Sequence, residues 1–266
     1  MWGIVPAAGR GSRIQPLAFS KELLPVGSRR ENGVERPSAV SEHLLDRMLT
    51  AGVDRICFVI APGKSDIMEY FGASWRGASI AYVVQPEAEG LCDAIFRAVP
   101  LIAPEAHVVL GLPDTIWFPT DALARLPIGE LSFLLFPVEE PQHFDAVVVD
   151  ELGNVEAIDV KSAVVRSHWI WGAFAMPGHT LADLHRLWLE EGRKDEYVGT
   201  LVNAWLQRGG RATGIKAGER YVDVGTLAGY RTAMRLLLER DAETGASYRQ
   251  GPAGQSAIDL AQVSQP

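Results

Sequence analysis

Only two cysteines occur in the 266 residues, Cys57 and Cys92. Two thiols cannot build a disulfide scaffold, and neither sits in a spacing that would hold zinc. Cys57 lies in the apolar run Ile56-Cys-Phe-Val-Ile60 and reads as a small buried hydrophobe. No apolar stretch approaches the roughly 18 residues of a membrane span. The N-terminus has no basic region, and its apolar stretch is only a few residues long, so a secretory signal is not expected. The expectation is a soluble, cytoplasmic protein with no membrane partner. Basic residues are outnumbered, 25 against 33 acidic, for a net charge of −8. That balance argues against broad neutralisation of a nucleic-acid backbone. It leaves room for a small anionic ligand, which needs only two or three well-placed cations. None of the six histidines sits in a segment that looks like a triad or a ligand pair.

What is present is ordinary globular material: 47% hydrophobic and 22% charged residues, with no internal repeat. The first half alternates strand-like and helix-like segments. β-rich runs cover 2–7, 55–61, 79–84, 107–112 and 131–138. Between them, Val40, Leu44, Leu45, Met48 and Leu49 share one face of a helix over 38–51, and shorter helical patterns fall at 64–71, 90–98 and 120–126. Strands spaced by helices predict βαβ units and a mainly parallel sheet, with ligands at the carboxyl ends of the strands. After about residue 140 the pattern changes to strands at 146–150, 155–160 and 169–175, which predict a small antiparallel insertion. Helices at 178–190 and 196–207, strands at 212–216 and 221–224, and a last helix from about 226 follow. From about Asp241 the chain turns polar, and 241–266 reads as a loosely docked tail behind a single unit spanning 1–240.

The strongest local signal is Ala7-Ala-Gly-Arg-Gly-Ser-Arg13, directly after the first strand. Ala7, Ala8, Gly9, Gly11 and Ser12 are small enough for backbone N–H groups to close around a phosphate, and Arg13 adds a charged fork. It is not a dinucleotide fingerprint, because Ile14 stands where the third glycine belongs. It is not a Walker loop either. Gly63-Lys-Ser65 supplies only the end of that motif, with Phe58 in place of its first glycine.

Lys21-Glu-Leu-Leu-Pro-Val26 begins eight residues after Arg13. With this pair of motifs the chain resembles the sugar-1-phosphate nucleotidylyltransferases, most closely the glucose-1-phosphate thymidylyl- and uridylyltransferases, over residues 1 to about 240. The resemblance implies a single-domain, Rossmann-like, three-layer αβα nucleotidyltransferase fold. It also implies Mg²⁺-dependent transfer of a nucleotidyl group from a nucleoside triphosphate to a sugar 1-phosphate. Arg13 and Lys21 would carry the phosphate chemistry. In Val84-Gln-Pro-Glu-Ala-Glu-Gly-Leu-Cys-Asp-Ala94, Gln85 would read the base edge, Gly90 would let the base lie against backbone, and Leu91 would line the pocket. Asp114, ending Val108-Val-Leu-Gly-Leu-Pro-Asp114, and Asp223, in Tyr221-Val-Asp-Val-Gly-Thr226, match the metal-binding aspartates. Two carboxylates plus phosphate oxygens suit Mg²⁺, which takes few protein ligands. Lys161 matches the lysine that reaches the sugar phosphate, and Gly172 the glycine bordering the sugar. Trp169 and Trp171 share a face and read as core, with one available as a sugar platform. Relatives often form dimers or tetramers, so a homo-oligomer is expected on the same basis.

Departures from the pattern mark where the resemblance says less. The family often has Glu just before its sugar-site lysine, to hydrogen-bond sugar hydroxyls. Here that position is Val160, with Asp159 one earlier, and strand alternation would turn Asp159 to the same face as Lys161. The stretch between Pro16 and Lys21 is about two residues short of the usual length. Thymine and uracil both fit an amide reader. A glycosyltransferase on a similar sheet would carry Asp-x-Asp, which occurs nowhere in the chain. The remaining alternative is a regulatory subunit of the same fold that binds a nucleotide sugar without turnover.

Overall fold

Neighbouring residues of the first strand, Ile4 and Val5, are both fully buried yet belong to different hydrophobic clusters. Alternation along a strand sends successive side chains to opposite faces, so a strand buried on both sides needs a helical layer on each. The computed structural model describes residues 1–248. In chain order its strands and helices begin with β1 (Trp2–Pro6), β2 (Pro25–Glu31), β3 (Val34–Ala39), α1 (Val40–Thr50), β4 (Arg55–Ile60) and α2 (Ser65–Phe71). Then come β5 (Ser74–Trp75), β6 (Ala78–Val84), α3 (Gly90–Phe96), β7 (His107–Gly111), β8 (Thr115–Phe118) and β9 (Leu131–Pro137). The second half adds β10 (Asp145–Val149), β11 (Val155–Val160), β12 (Trp169–Pro177), α4 (Gly178–Glu190) and α5 (Val198–Gln207). It closes with β13 (Ala212–Ile215), β14 (Arg220–Asp223) and α6 (Leu227–Tyr248).

The main sheet runs β11-β10-β12-β7-β1-β4-β6-β5, with β9 joining β12 to β13. Its centre, β7-β1-β4-β6, is parallel, and β10, β11 and β12 form the antiparallel part. Ile4, Cys57, Val59, Val108 and Leu110 pack on α3, α4 and α5, while Val5, Ile56, Phe58 and Val109 pack on α1 and α2. The result is the expected three-layer αβα arrangement with a mixed, mainly parallel sheet. Both thiols are buried, and burial pushes each up to about 12, as small core residues rather than reactive ones. No helix among the described residues is long and apolar enough to cross a membrane.

The structure differs locally from the sequence expectation in several places. The 120–126 helix reduces to a single 3-10 turn over Ala122–Arg125. The helix expected from 196 starts at Val198 instead, because the Glu196 carbonyl is turned out to accept the N–H groups of Leu91 and Cys92. Two small antiparallel pairs were not anticipated: the β2–β3 hairpin, and β8 with β14. The last helix runs past Asp241 to Tyr248, and the remainder of the expected polar tail, 249–266, lies outside the described residues.

Candidate active site

The carboxyl ends of β1, β6 and β7, the start of α3 and the β8–β14 pair surround a cleft of about 700 Å³. Among its walls are Ala8, Gly9, Arg13, Lys21, Gln85, Gly90, Leu91, Asp114, Lys161 and Asp223, ten of the fifteen residues singled out from the sequence. The other five, Ala7, Gly11, Ser12, Asp159 and Gly172, do not line it.

The glycine loop leaves β1 with its donors open. Among the described residues no acceptor takes the N–H groups of residues 8–13. Ala7 is different: its N–H donates to the Val59 carbonyl at 2.7 Å, so it has no donor left for a phosphate. Gly11 adopts φ +65, where a Cβ would lie 2.9 Å from Lys21 Cδ. This glycine therefore lets the loop pack on the lysine stem, while a Cβ on Gly9 would stand 3.9 Å from Lys21 Nζ. Ser12 is exposed at the turn. Lys64, from the truncated Walker match, donates to the Ala7 carbonyl at 2.6 Å and to both oxygens of the fully buried Glu22 at 2.9 Å. It ties the root of the loop to the Lys21 segment and does not line the cleft. Burial raises the Glu22 pKa, with Lys64 and Lys21 acting in the opposite direction.

The two aspartates are brought together by the β8–β14 pair. Asp223 lies opposite Thr115 in register, and the Val224 N–H donates to the Asp114 carbonyl at 2.8 Å. Lys21 Nζ donates to Asp114 Oδ2 at 2.5 Å, and Arg13 Nη1 to Asp223 Oδ2 at 2.8 Å. Burial lowers the Lys21 pKa, but Asp114, Glu22 and Asp223 outweigh it and leave the ammonium more basic than usual. A Cβ on Gly225 would lie 2.9 Å from Asp223 Oδ1, 3.1 Å from Asp114 Oδ2 and 3.1 Å from Arg13 Nη2. Both carboxylates thus converge on one small space that a glycine leaves open. No group of three or more His, Cys, Asp or Glu that could hold a metal exists among the described residues. The donor set here is two hard oxygens beside a phosphate-sized cleft, which fits a cation that keeps waters and substrate oxygens in its shell.

Gln85 is buried, and its amide donates to Asp93 Oδ2 at 2.8 Å and to the Gly90 carbonyl at 3.1 Å. Arg97 holds Asp93 from one turn on, at 2.9 and 3.1 Å. Both Gln85 protons are therefore spent, and only its acceptor oxygen remains for a ligand. Gly90 sits at φ +93, and a Cβ there would lie 2.9 Å from Glu196 Cα. Close packing on 196, rather than on a base, already requires glycine.

At the other end of the cleft, Lys161 Nζ lies 4.2 Å from the Tyr197 ring centroid. Lys161 has φ +42 as the chain leaves β11, and alternation ends there. Ile158 and Val160 face Gly199 on α5, so Asp159 faces away and is clamped by the Arg166 guanidinium and N–H. Its expected place beside Lys161 is not what the fold provides. Gly172 is a bulge in β12, where a Cβ would meet Phe136 Cε2 at 2.6 Å and Tyr221 Cε2 at 2.8 Å. It lies behind the cleft and lets Tyr221 reach the wall. Gly172→Ala is expected to cost about 1–3 kcal/mol through overpacking, read as a lower urea midpoint. An unchanged midpoint would show that Phe136 or Tyr221 yields freely. Trp171, Tyr197, Tyr221 and Asp145 also line the cleft, and sequence reasoning proposed only Trp171 among them.

Comparison with known proteins bears on the family and the fold. The chain is 27% identical over 236 residues to the glucose-1-phosphate thymidylyltransferase of Mycolicibacterium smegmatis, covering 85% of this chain and 78% of that protein. It is 28% identical over 180 residues to the UTP–glucose-1-phosphate uridylyltransferase AglF of Haloferax volcanii, covering 65% and 70%. The fold matches a UTP-bound UGPase from Acinetobacter baumannii with TM-score 0.74, 18% identity and coverage of 94% and 97%. Residues 2–240 match the nucleotidyl transferase family along nearly the whole described chain, and the protein belongs to that family.

Proposed function

We propose that the protein transfers a nucleotidyl group from a pyrimidine nucleoside triphosphate, dTTP or UTP, to a sugar 1-phosphate and releases pyrophosphate. The observation that carries this reading is the convergence of the open loop donors, Arg13, Lys21 and two carboxylates at one end of a cleft, with Lys161 and aromatic walls at the other. The sugar phosphate oxygen forms a bond to the α-phosphorus as the bond from that phosphorus to the bridging oxygen breaks. The nucleophile is already ionised at neutral pH, so the site has to position and neutralise rather than remove a proton. Loop N–H groups and Arg13 hold the β- and γ-phosphates, and Lys21, released from Asp114, meets the charge at the α-phosphate. Lys161 holds the phosphate of the incoming sugar. Asp114 and Asp223 would hold Mg²⁺, which when bound supplies charge neutralisation to the phosphates. Gln85 Oε1 accepts from the N3–H of thymine or uracil. Cytosine presents a bare N3 acceptor there, so it is disfavoured.

Pyrophosphate release measured with Mg²⁺, five nucleoside triphosphates and a panel of sugar 1-phosphates tests the proposal. Turnover confined to dTTP or UTP with a hexose 1-phosphate is expected. Preference for CTP or ATP would sink the Gln85 assignment. Binding of a nucleotide sugar without pyrophosphate release under any pairing would make the chain a regulatory subunit instead.

A further inference from the structure

Asp145 opens β10 on the cleft wall, and its carboxylate is only half used. Oδ2 receives a long hydrogen bond from Trp171 Nε1 at 3.4 Å, while Oδ1 is buried with no partner. Buried carboxylate oxygens are rarely left without donors, because desolvation without a hydrogen bond is costly. Nothing on the neighbouring elements removes the deficit. Of the basic groups, Lys161 is near enough to act on it electrostatically, but it makes no ion pair with it. Burial pushes the Asp145 carboxyl up, with Trp171 and Lys161 pulling it back.

Charge divides the cleft. The triphosphate belongs with Arg13, Lys21 and the loop amides, and an anion such as Asp145 would repel it. Trp171 and Lys161 act on Asp145 directly, Tyr197 lies against Lys161, and Gln142, His143 and Phe144 line the same cleft, so this wall combines aromatic faces for C–H surface with a lysine for one phosphate. Such a wall asks for neutral O–H donors next to a monophosphate.

The register explains why this carboxylate is here. Asp145 pairs directly with Val160 across the β10–β11 ladder. Both side chains crowd the same glycine: a Cβ on Gly199 would lie 2.6 Å from Val160 Cγ2 and 3.3 Å from Asp145 Oδ2. Asp145 and Val160 therefore project to the same face of the sheet, beside α5, and the carboxylate on that face comes from β10.

We infer that Asp145 is the residue that accepts a hydroxyl of the sugar 1-phosphate and sets which hexose is taken. This rests on the proposed nucleotidyl transfer and deepens it. Torsion about χ2 of an aspartate is broad, so turning Oδ1 toward a bound hydroxyl is an inexpensive motion. The acceptor would favour a sugar with a free hydroxyl at one ring position and discriminate against its deoxy counterpart.

The test uses the whole protein, its best hexose 1-phosphate and the set of single-deoxy analogues. Wild type should lose roughly 10- to 100-fold in kcat/KM on one analogue, the order expected when a charged acceptor loses its donor. Asp145→Ala should lose a similar factor on the parent sugar and nothing further on that analogue, because the two changes remove the same contact. KM for the triphosphate should stay within about two-fold, since no phosphate contact is touched. Asp145→Asn keeps the shape and guards against a folding defect; it should lose about ten-fold on the parent sugar. Equal rates on all deoxy analogues, or additive losses in Asp145→Ala, would overturn the assignment while leaving nucleotidyl transfer intact. Wild-type inactivity with every sugar 1-phosphate would overturn both.

Discussion

Asp223→Asn should reduce turnover on the order of 10²-fold or more while leaving the fold nearly unchanged. Both Asp223 oxygens are committed, Oδ2 to Arg13 and Oδ1 to the Gly225 N–H at 2.8 Å. An amide can satisfy only one of them, because its NH₂ must face either a guanidinium or an N–H. The stability loss is nonetheless small. Arg13 is largely exposed, and exposed ion pairs contribute about 0–1 kcal/mol. The large effect belongs to function: one of the two anionic oxygens converging on the space beside Gly225 disappears. Pyrophosphate release titrated with Mg²⁺ should show a lower plateau and a need for more cation, with the thermal midpoint shifted by only a few degrees. Near-normal turnover at ordinary Mg²⁺ would remove Asp223 from the metal assignment.

Much of this arrangement was legible because it depends on local pattern. Strand-helix alternation revealed the parallel core, and the glycine loop followed by the Lys21 segment pointed to phosphate chemistry. The missed parts depend on pairing between distant segments. Nothing near Asp145 in sequence marks it, since its meaning comes from facing Val160 across a ladder. Asp159 misleads for the opposite reason: counting by two works within β11 but fails where Lys161 enters a left-handed turn. Asp93 is an ordinary helix residue until Gln85 is seen to donate to it. The β2–β3 hairpin is another matter, because its signal was present. Asn32-Gly33 lies between paired Glu31 and Val34, with φ of 50 and 81. Asn-Gly is the strongest short hairpin signal, but flanking residues as charged as Arg29, Arg30 and Glu31 gave no apolar alternation to accompany it.

Lys21→Ala is expected to move catalysis and cation binding in opposite directions. Its ammonium is the sole hydrogen-bond partner of the Asp114 carboxylate among the described residues, and both groups are mostly buried. Removing one member of a buried pair leaves an uncompensated charge and costs about 3–5 kcal/mol. Turnover should fall at least 10²-fold, since charge at the α-phosphate loses its neutralising group. Asp114, freed from competition with the ammonium, should then respond more strongly to divalent cation. Adding MgCl₂ should therefore raise the unfolding midpoint of the variant more than that of wild type. The pH dependence has a definite sign. The folded Lys21 pKa is raised, so its stabilisation is fully present below the unfolded value of about 10.4 and is lost as pH climbs through the higher folded value. The stability gap between wild type and Lys21→Ala should accordingly stay level from neutral pH to about 10 and narrow only above it. An unchanged kcat would take Lys21 out of the chemistry. Equal Mg²⁺ responses in the two proteins would mean that the ammonium and the cation do not share Asp114.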